Sequence, residues 1–323
     1  MAGAGIGTEG TTFQFAITES NWLGKGTRLK TSFNISEEKI KGSFAITDPN
    51  YKFSGNVVSL SADISSIDRT KTTGYESDRT GFSLGASFEQ YENVWFSPTL
   101  TLTNESVSTD ADASTNLKKM DGTYTNLDFT YGLILDNRNQ KFQPTEGYVT
   151  SFKQTLPIIQ DSSSIFNEFD LTSYHDLSED VIASLKFKGK SIHGVDDDVR
   201  LTNRIYMPSR SLRGFVRGKV GPKDGTDWVG GNYLLGVSAE AQLPNLLPES
   251  YRTDINAYID TGNLWGVDYS GTVDDSSKIR SSVGIGANVF TPVGPLSFTV
   301  SQNLTKASTD VTETFNFALG TSF

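Results

Sequence analysis

The chain has 323 residues, carries a formal net charge of −10, contains no cysteine and is 36% hydrophobic. Lack of cysteine removes disulfides, thiol nucleophiles and cysteine-ligated zinc together, and the acidic balance argues against a general nucleic-acid binder. No stretch approaches the roughly 18 consecutive apolar residues of a membrane-spanning helix, so a helical membrane protein is excluded.

The opening Met1-Ala2-Gly3-Ala4-Gly5 has neither a basic nor an apolar stretch, so it does not read as a signal peptide. A chain acting outside the cytoplasm is then expected to be a mature or excised piece. From there on, apolar and polar residues alternate. Phe13, Phe15 and Ile17 alternate with Gln14, Ala16 and Thr18, and Leu29, Phe33 and Ile35 with Arg28, Lys30, Ser32 and Asn34. Phe82, Leu84, Ala86 and Phe88 repeat the pattern, as do Leu127, Phe129, Tyr131, Leu133 and Leu135, and finally Phe315, Phe317, Leu319 and Phe323. Successive strand side chains point to opposite faces, so each segment has one greasy and one polar face. No convincing amphipathic helix interrupts the series.

Sixteen such segments are expected: 3–9, 11–19, 27–36, 39–48, 55–67, 79–91, 93–106, 122–136, 147–157, 165–177, 180–193, 230–243, 252–262, 279–290, 294–304 and 312–323. Most are about ten residues long, which is what a tilted strand needs to cross the hydrocarbon of a bilayer. Tight connections such as Asp48-Pro49-Asn50 and Thr291-Pro292-Val293-Gly294-Pro295 follow even segments, and long polar ones (107–121, 191–229, 263–278) follow odd ones. A soluble barrel would bury the Phe/Leu/Ile face, but the opposite set of Gly, Ser, Thr, Asn, Asp and Lys is too small and polar for a dry core. About sixteen strands also enclose a lumen too wide for side chains to fill. The expected fold is therefore all-β: one 16-stranded antiparallel transmembrane β-barrel over 1–323. Its strands 1 to 11 lie in 1–193, a long loop six in 194–229 and strands 12 to 16 in 230–323. A soluble β-sandwich or solenoid is the rival.

Several motifs have plain readings. Gly5-Ile6-Gly7-Thr8-Glu9-Gly10 is formally G-x-G-x-x-G, but that phosphate fingerprint needs a strand before it and a helix after it. A glycine-rich, weakly packed strand at a barrel seam suits it better. Asp110/Asp112 and Asp196-Asp197-Asp198 lack the spacing of a Ca²⁺ loop and read as solvated loops. Asn104-Glu105-Ser106 has the form of a glycosylation sequon. His175 and His193 lie in or beside separate segments, with no Gly-x-Ser-x-Gly elbow, and offer no clear nucleophile–base pair.

The segment 191–229 is the informative one. It contains Ser211-Leu212-Arg213-Gly214-Phe215 and Gly221-Pro222-Lys223, and leads into Gly230-Gly231-Asn232-Tyr233. Here the chain resembles the BamA family of outer-membrane assembly factors, whose sixth extracellular loop carries an Arg-Gly-Phe/Tyr signature followed by Gly-Pro. Asn21-Trp22-Leu23-Gly24-Lys25-Gly26 and Asp48-Pro49-Asn50-Tyr51 resemble that family's first two periplasmic turns. Phe142-Gln143-Pro144-Thr145-Glu146-Gly147 resembles its Phe-Pro-Thr-x-Gly turn with one residue inserted, and Ile259-Asp260-Thr261-Gly262 its Asp-x-Gly strand. The resemblance runs through the whole chain in order. The combination is specific where a lone Arg-Gly-Phe would be weak.

Loop six is long enough to fold back into the lumen, where Arg213 would leave bulk water and need carboxylate partners. Glu240 and Asp260 are on the polar phase of their segments, and two lumen-facing acids on adjacent strands can take the planar guanidinium fork. The resemblance implies that residues at these positions hold the loop tip against the wall. The expected anchor is Arg213, Gly214, Phe215, Glu240, Asp260 and Gly262, with the two glycines allowing close backbone approach. The expected seam joins Gly3, Gly5 and Gly7 of the first segment to Phe315, Phe317, Leu319 and Phe323 of the last. Its terminal aromatic resembles the signal by which outer-membrane barrels are recognised.

The resemblance implies a Gram-negative outer-membrane machine that folds and inserts other β-barrels through a lateral seam. It involves no covalent step, no cofactor and no metal. Its partners would be unfolded outer-membrane clients, membrane lipid and lipopolysaccharide, and lipoproteins of the assembly complex. The family carries periplasmic POTRA domains ahead of the barrel, so this chain is expected to be a barrel domain cut from a longer protein. The alternatives are a two-partner secretion translocator, a passive porin and an outer-membrane lipase or protease.

Overall fold

A computed structural model describes residues 2–8, 10–161, 163–178, 180–244, 253–268, 273, 277–291 and 294–320. Sixteen antiparallel strands close into one barrel. In chain order they are β1 (Ala2–Gly7), β2 (Gly10–Trp22), β3 (Thr27–Ser36), β4 (Lys39–Asp48), β5 (Val57–Asp68), β6 (Tyr75–Tyr91), β7 (Val94–Thr109) and β8 (Gly122–Asp136). There follow β9 (Gly147–Gln160), β10 (Ser164–Ser178), β11 (Val181–Gly194), β12 (Tyr233–Leu243), β13 (Thr253–Trp265), β14 (Arg280–Thr291), β15 (Gly294–Thr305) and β16 (Phe315–Gly320). Each strand pairs with its neighbours in sequence, and β16 returns to β1.

The alternation decides the inside and the outside. On β2, Phe13, Phe15 and Ile17 are more than half exposed, while Ala16 between them is 8% exposed. Leu60, Ile64, Phe82, Leu84, Leu185, Ile259 and Ile285 also face outward. An outer surface this apolar is stable only in hydrocarbon. The inner phase is held by cross-strand polar pairs: Arg79 with Asp63 at 2.9 Å, Lys190 with Glu168 at 2.6 Å, Lys188 with Asp170, and the hydroxyls of Ser32 and Ser43 at 2.6 Å.

The long connection between β11 and β12 folds over the inner wall at one end. Two apolar clusters fasten it there. One joins Leu212, Phe215 and Val220 to the wall residues Ile192, Leu234 and Leu264, and the other joins Leu201 and Val229 to Tyr75, Leu117 and Met120. A two-stranded hairpin, Lys223–Asp224 with Asp227–Trp228, lies within the connection. Asp224 accepts from Ser114 at 2.5 Å, and the Trp228 amide donates to Thr72 at 3.1 Å, which ties the hairpin to two neighbouring loops.

Several boundaries differ from the sequence reading. Gly231, expected in a wall strand, instead bridges Ile205 of the long connection. Thr312, expected at the start of the last strand, bridges Phe215. The β6–β7 hairpin extends well beyond its expected upper end, to Tyr75 and Thr109, because Tyr75 and Val107 are buried under the loops. A short helix α1 (Thr115–Lys118), where no helix was expected, is capped by Ser114, whose hydroxyl accepts from the Leu117 amide at 3.2 Å. Connections after even strands are not uniformly tight: 49–56 contains a 3-10 turn, and 137–146 is a long turn organised by the Asn139 side chain, which accepts from the Thr145 and Glu146 amides. Residues 292–293 of the expected Thr291–Pro295 turn, Glu9 and Phe323 lie outside the described residues.

Candidate functional site

Pro208 leads into a 3-10 turn at Ser209–Ser211, and Gly214, at φ +85°, reverses the chain so that Arg213 projects at the wall. The register of β12 against β13 sets Ser238 opposite Asp260 and Glu240 opposite Tyr258, all on the inner phase. Arg213 Nε and Nη2 donate to the two Asp260 oxygens at 2.8 Å each, and Nη1 donates to Glu240 Oε2 at 2.8 Å. Nη2 also reaches Ser238 Oγ at 3.1 Å, and the Arg213 amide donates to Asp260 Oδ2 at 3.0 Å. The guanidinium carbon sits 3.4 Å from the centre of the Tyr258 ring. Asp260 is fully buried. Burial alone would pull the Arg213 guanidinium down, but Asp260 and Glu240 hold it above its ordinary range. The fork geometry uses both carboxylate oxygens at once, which a lysine cannot do.

Behind Arg213 the chain is fixed by its backbone. Ser282 Oγ donates to the Arg213 carbonyl at 2.6 Å, and the Asn303 amide side chain donates to the Gly214 carbonyl at 2.9 Å. A Cβ on Gly214 would lie 2.8 Å from Ser301 Cβ, so no other residue fits at this φ. Phe215 is buried in the apolar cluster. Gly262 is inner-facing, and a Cβ there would meet Leu235 O at 3.0 Å and Met207 Cε at 3.2 Å. Of the six residues read from the sequence, Arg213, Gly214 and Phe215 come from loop six, Glu240 from β12 and Asp260 and Gly262 from β13, and Ser282 of β14 and Asn303 of β15 complete the hold on the loop.

Two charged nodes were not read from the sequence. Glu105 of β7 accepts from Ser77 at 2.7 Å and Thr202 at 3.0 Å and lies 3.6 Å from Arg200, which stacks 4.3 Å over the Tyr124 ring. Burial pulls the Arg200 guanidinium below its ordinary range. Arg280 and Asp310, both fully buried at the side chain, pair at 2.8 Å. The phase of Glu105 on its strand and the apolar company of Arg200 were the available signals, but neither names a partner.

At the closure, Gly5 pairs with Gly320, Ile6 with Leu319 and Gly7 with Ala318, and the Thr8 amide donates to the Phe317 carbonyl at 3.0 Å. These are the pairs among the described residues; the β10–β11 ladder runs from Ser164↔Gly194 to Ser178↔Val181. Gly3 pairs with Gln14 of β2. Phe315 and Phe317 pair with Val300 and Phe298 of β15, and their rings stack at 6.3 Å. Gly7 is tight rather than loosely packed: a Cβ there would lie 2.6 Å from the Phe317 carbonyl oxygen.

Gly5 and Gly7 lie in β1 and Gly10 opens β2, so a strand rather than a helix follows, which does not make a phosphate loop. His175 and His193 sit at opposite ends of the β10–β11 hairpin, paired with Ala183 and Ile165. Among the described residues no group of three His, Asp or Glu side chains is placed to hold a metal ion.

Residues 21–323 match the profile of the Omp85 superfamily domain. The chain belongs to the Omp85 superfamily. Among curated relatives, the outer membrane protein assembly factor BamA of Neorickettsia risticii is 28% identical over 66% of this chain and 30% of its own length. BamA of Neisseria meningitidis serogroup B is 24% identical over 97% of this chain and 45% of its own length. The chain thus spans less than half of either relative. The crystal structure of BamA from Haemophilus ducreyi lacking POTRA domains 1–3 superposes with a TM-score of 0.90 at 21% identity, covering all of this chain and 69% of that one. CdiB from Acinetobacter baumannii reaches 0.63 at 14% identity, over 100% and 59% of the two chains. This Omp85 barrel is BamA-like, and it is an outer-membrane β-barrel of the Gram-negative kind. The exposed Phe and Ile face of its wall is accordingly its lipid face.

Proposed function

We propose that this barrel folds and inserts other β-barrel proteins into the outer membrane through the junction of β1 and β16. The observation that carries the reading is that the wall closes at a junction no chain connection bridges, paired among the described residues at Gly5↔Gly320, Ile6↔Leu319 and Gly7↔Ala318, so that parting it leaves every hairpin of the wall intact. Parting it exposes backbone donors and acceptors on both edges, and an incoming strand can pair with them by β-augmentation. Hairpins added in this way never present bare amides to lipid, where each would cost several kcal/mol. No covalent step is involved, and the driving free energy comes from client folding. The names of the BamA relatives support the same reading. Unfolded barrel clients, lipid and lipopolysaccharide, and lipoproteins of the assembly complex are the partners it implies. Arg213, Gly214, Phe215, Glu240, Asp260 and Gly262 serve as the anchor that holds loop six, and the glycines of β1 with the aromatics of β16 serve as the lateral seam.

The test is the folding rate of a client barrel in liposomes containing this protein, against liposomes containing a porin of similar size. Faster folding is expected. No acceleration with large steady conductance would establish a porin instead. Export of one dedicated substrate without client folding would establish a two-partner translocator.

A further inference from the structure

The residues just before β16 are held by loop six rather than by the wall. The Val216 amide donates to the Val311 carbonyl at 2.9 Å, and the Glu313 amide donates to the Gly214 carbonyl at 3.0 Å, flanking an antiparallel bridge between Phe215 and Thr312. The Val311 amide donates in turn to the Lys219 carbonyl at 3.1 Å. Alternate residues of a strand turn their amides and carbonyls to opposite edges. The Phe317 carbonyl faces β1, where it accepts from Thr8, and the Thr314 carbonyl faces β15, where it accepts from Ser301 at 2.8 Å. Residues 311 and 313 share the phase of Phe317. Loop six therefore pairs with the same edge of the closing strand that β1 pairs with lower down, beyond the point where β1 turns away at Thr8.

A buried pair holds this arrangement. Arg280 Nε donates to Asp310 Oδ2 at 2.8 Å, and Arg280 Nη1 donates to Asn263 Oδ1 at 2.7 Å and to the Lys278 carbonyl at 2.9 Å. The Asp310 carboxylate also accepts from the Ala307 amide at 2.6 Å and from the Gly221 amide of loop six at 3.3 Å. Trp228 Nε1 donates to the Thr309 carbonyl at 3.1 Å.

We propose that loop six is an internal edge strand: it covers residues 311–313, the continuation of the β16 edge beyond the point where β1 turns away, positioned there by Arg280 and Asp310, and an incoming strand must displace it to pair along that continuation. The competition part rests on the assembly reading given above, but the pairing does not. Both are tested by amide hydrogen exchange in lipid nanodiscs together with client folding in liposomes. In the unmodified protein the Val216, Val311 and Glu313 amides should exchange as slowly as the wall amide of Ser301. Asp310→Asn and Arg280→Gln should each speed the three by about tenfold or more, leaving the β10–β11 ladder unchanged. The charge-reversed double variant, Asp310→Arg with Arg280→Asp, should restore part of the protection. Unchanged exchange of the three amides, or a uniform rise over every strand, would overturn the positioning role. Client folding should be faster with Asp310→Asn; faster exchange with unaltered client folding would overturn the competition. An unmodified protein that folds no client would count against the assembly reading and leave the exchange result standing.

Discussion

Arg213 is where a single side chain matters most. Its fork is shared by Asp260, Glu240 and Ser238, and its removal leaves a fully buried carboxylate without its cation. Arg213→Ala is expected to cost about 3–5 kcal/mol at this site, the usual range when one partner of a buried pair is deleted. It should appear as faster proteolytic cleavage within loop six while the wall stays folded. Arg213→Lys should recover little, because a point charge cannot bond both Asp260 oxygens. This triad was legible from sequence because Arg213 and Asp260 stand in stretches that resemble the BamA family's Arg-Gly-Phe and Asp-x-Gly motifs, and strand phase places Glu240 and Asp260 inside, where a lumenal arginine demands acids. Arg200 with Glu105 and Arg280 with Asp310 were not legible. With 28 basic and 38 acidic residues in the chain, phase alone does not choose partners that lie 95 and 30 positions apart. Only the folded path of the loops brings them together.

Among the elements, β1 and β16 are the pair that adjoin in the wall without being neighbours in the chain. Gly7→Val should separate them, since even a Cβ at that position lies 2.6 Å from the Phe317 carbonyl. Faster exchange of the Thr8 amide, with the β10–β11 ladder unaffected, is the expected reading. Conversely, Ile6→Cys with Leu319→Cys joins two paired residues in a chain with no other thiol, so oxidation can form only that crosslink. The oxidised form should remain folded and stop accelerating client folding, and reduction should restore it. Unchanged client folding in the locked form would sink the lateral mechanism. The strands were legible because alternation is a local property of each segment. Their ends were not, since Tyr75 and Thr109 owe their strand geometry to burial under loops, and Thr312 owes its bridge to Phe215, 97 positions earlier.

On the scale of the whole molecule, lipid outside and polar ladders inside divide the consequences of substitution. Phe15→Arg, on the lipid face, is expected to cost about 2–4 kcal/mol if it lies near the bilayer midplane and less toward either interface. Gln14→Arg, one position away and facing the lumen, should cost far less. Urea titration of both variants folded in the same bilayer measures the difference. The closure of the ring has a consequence for the protein's own biogenesis. Every other wall contact joins strands that are neighbours in the chain, whereas β1 meets β16 across nearly its entire length, and contacts between such distant residues form late. The newborn chain is therefore expected to pass through a curled, unclosed sheet with two free margins. Until the ring shuts, both margins need partners for their amides and carbonyls.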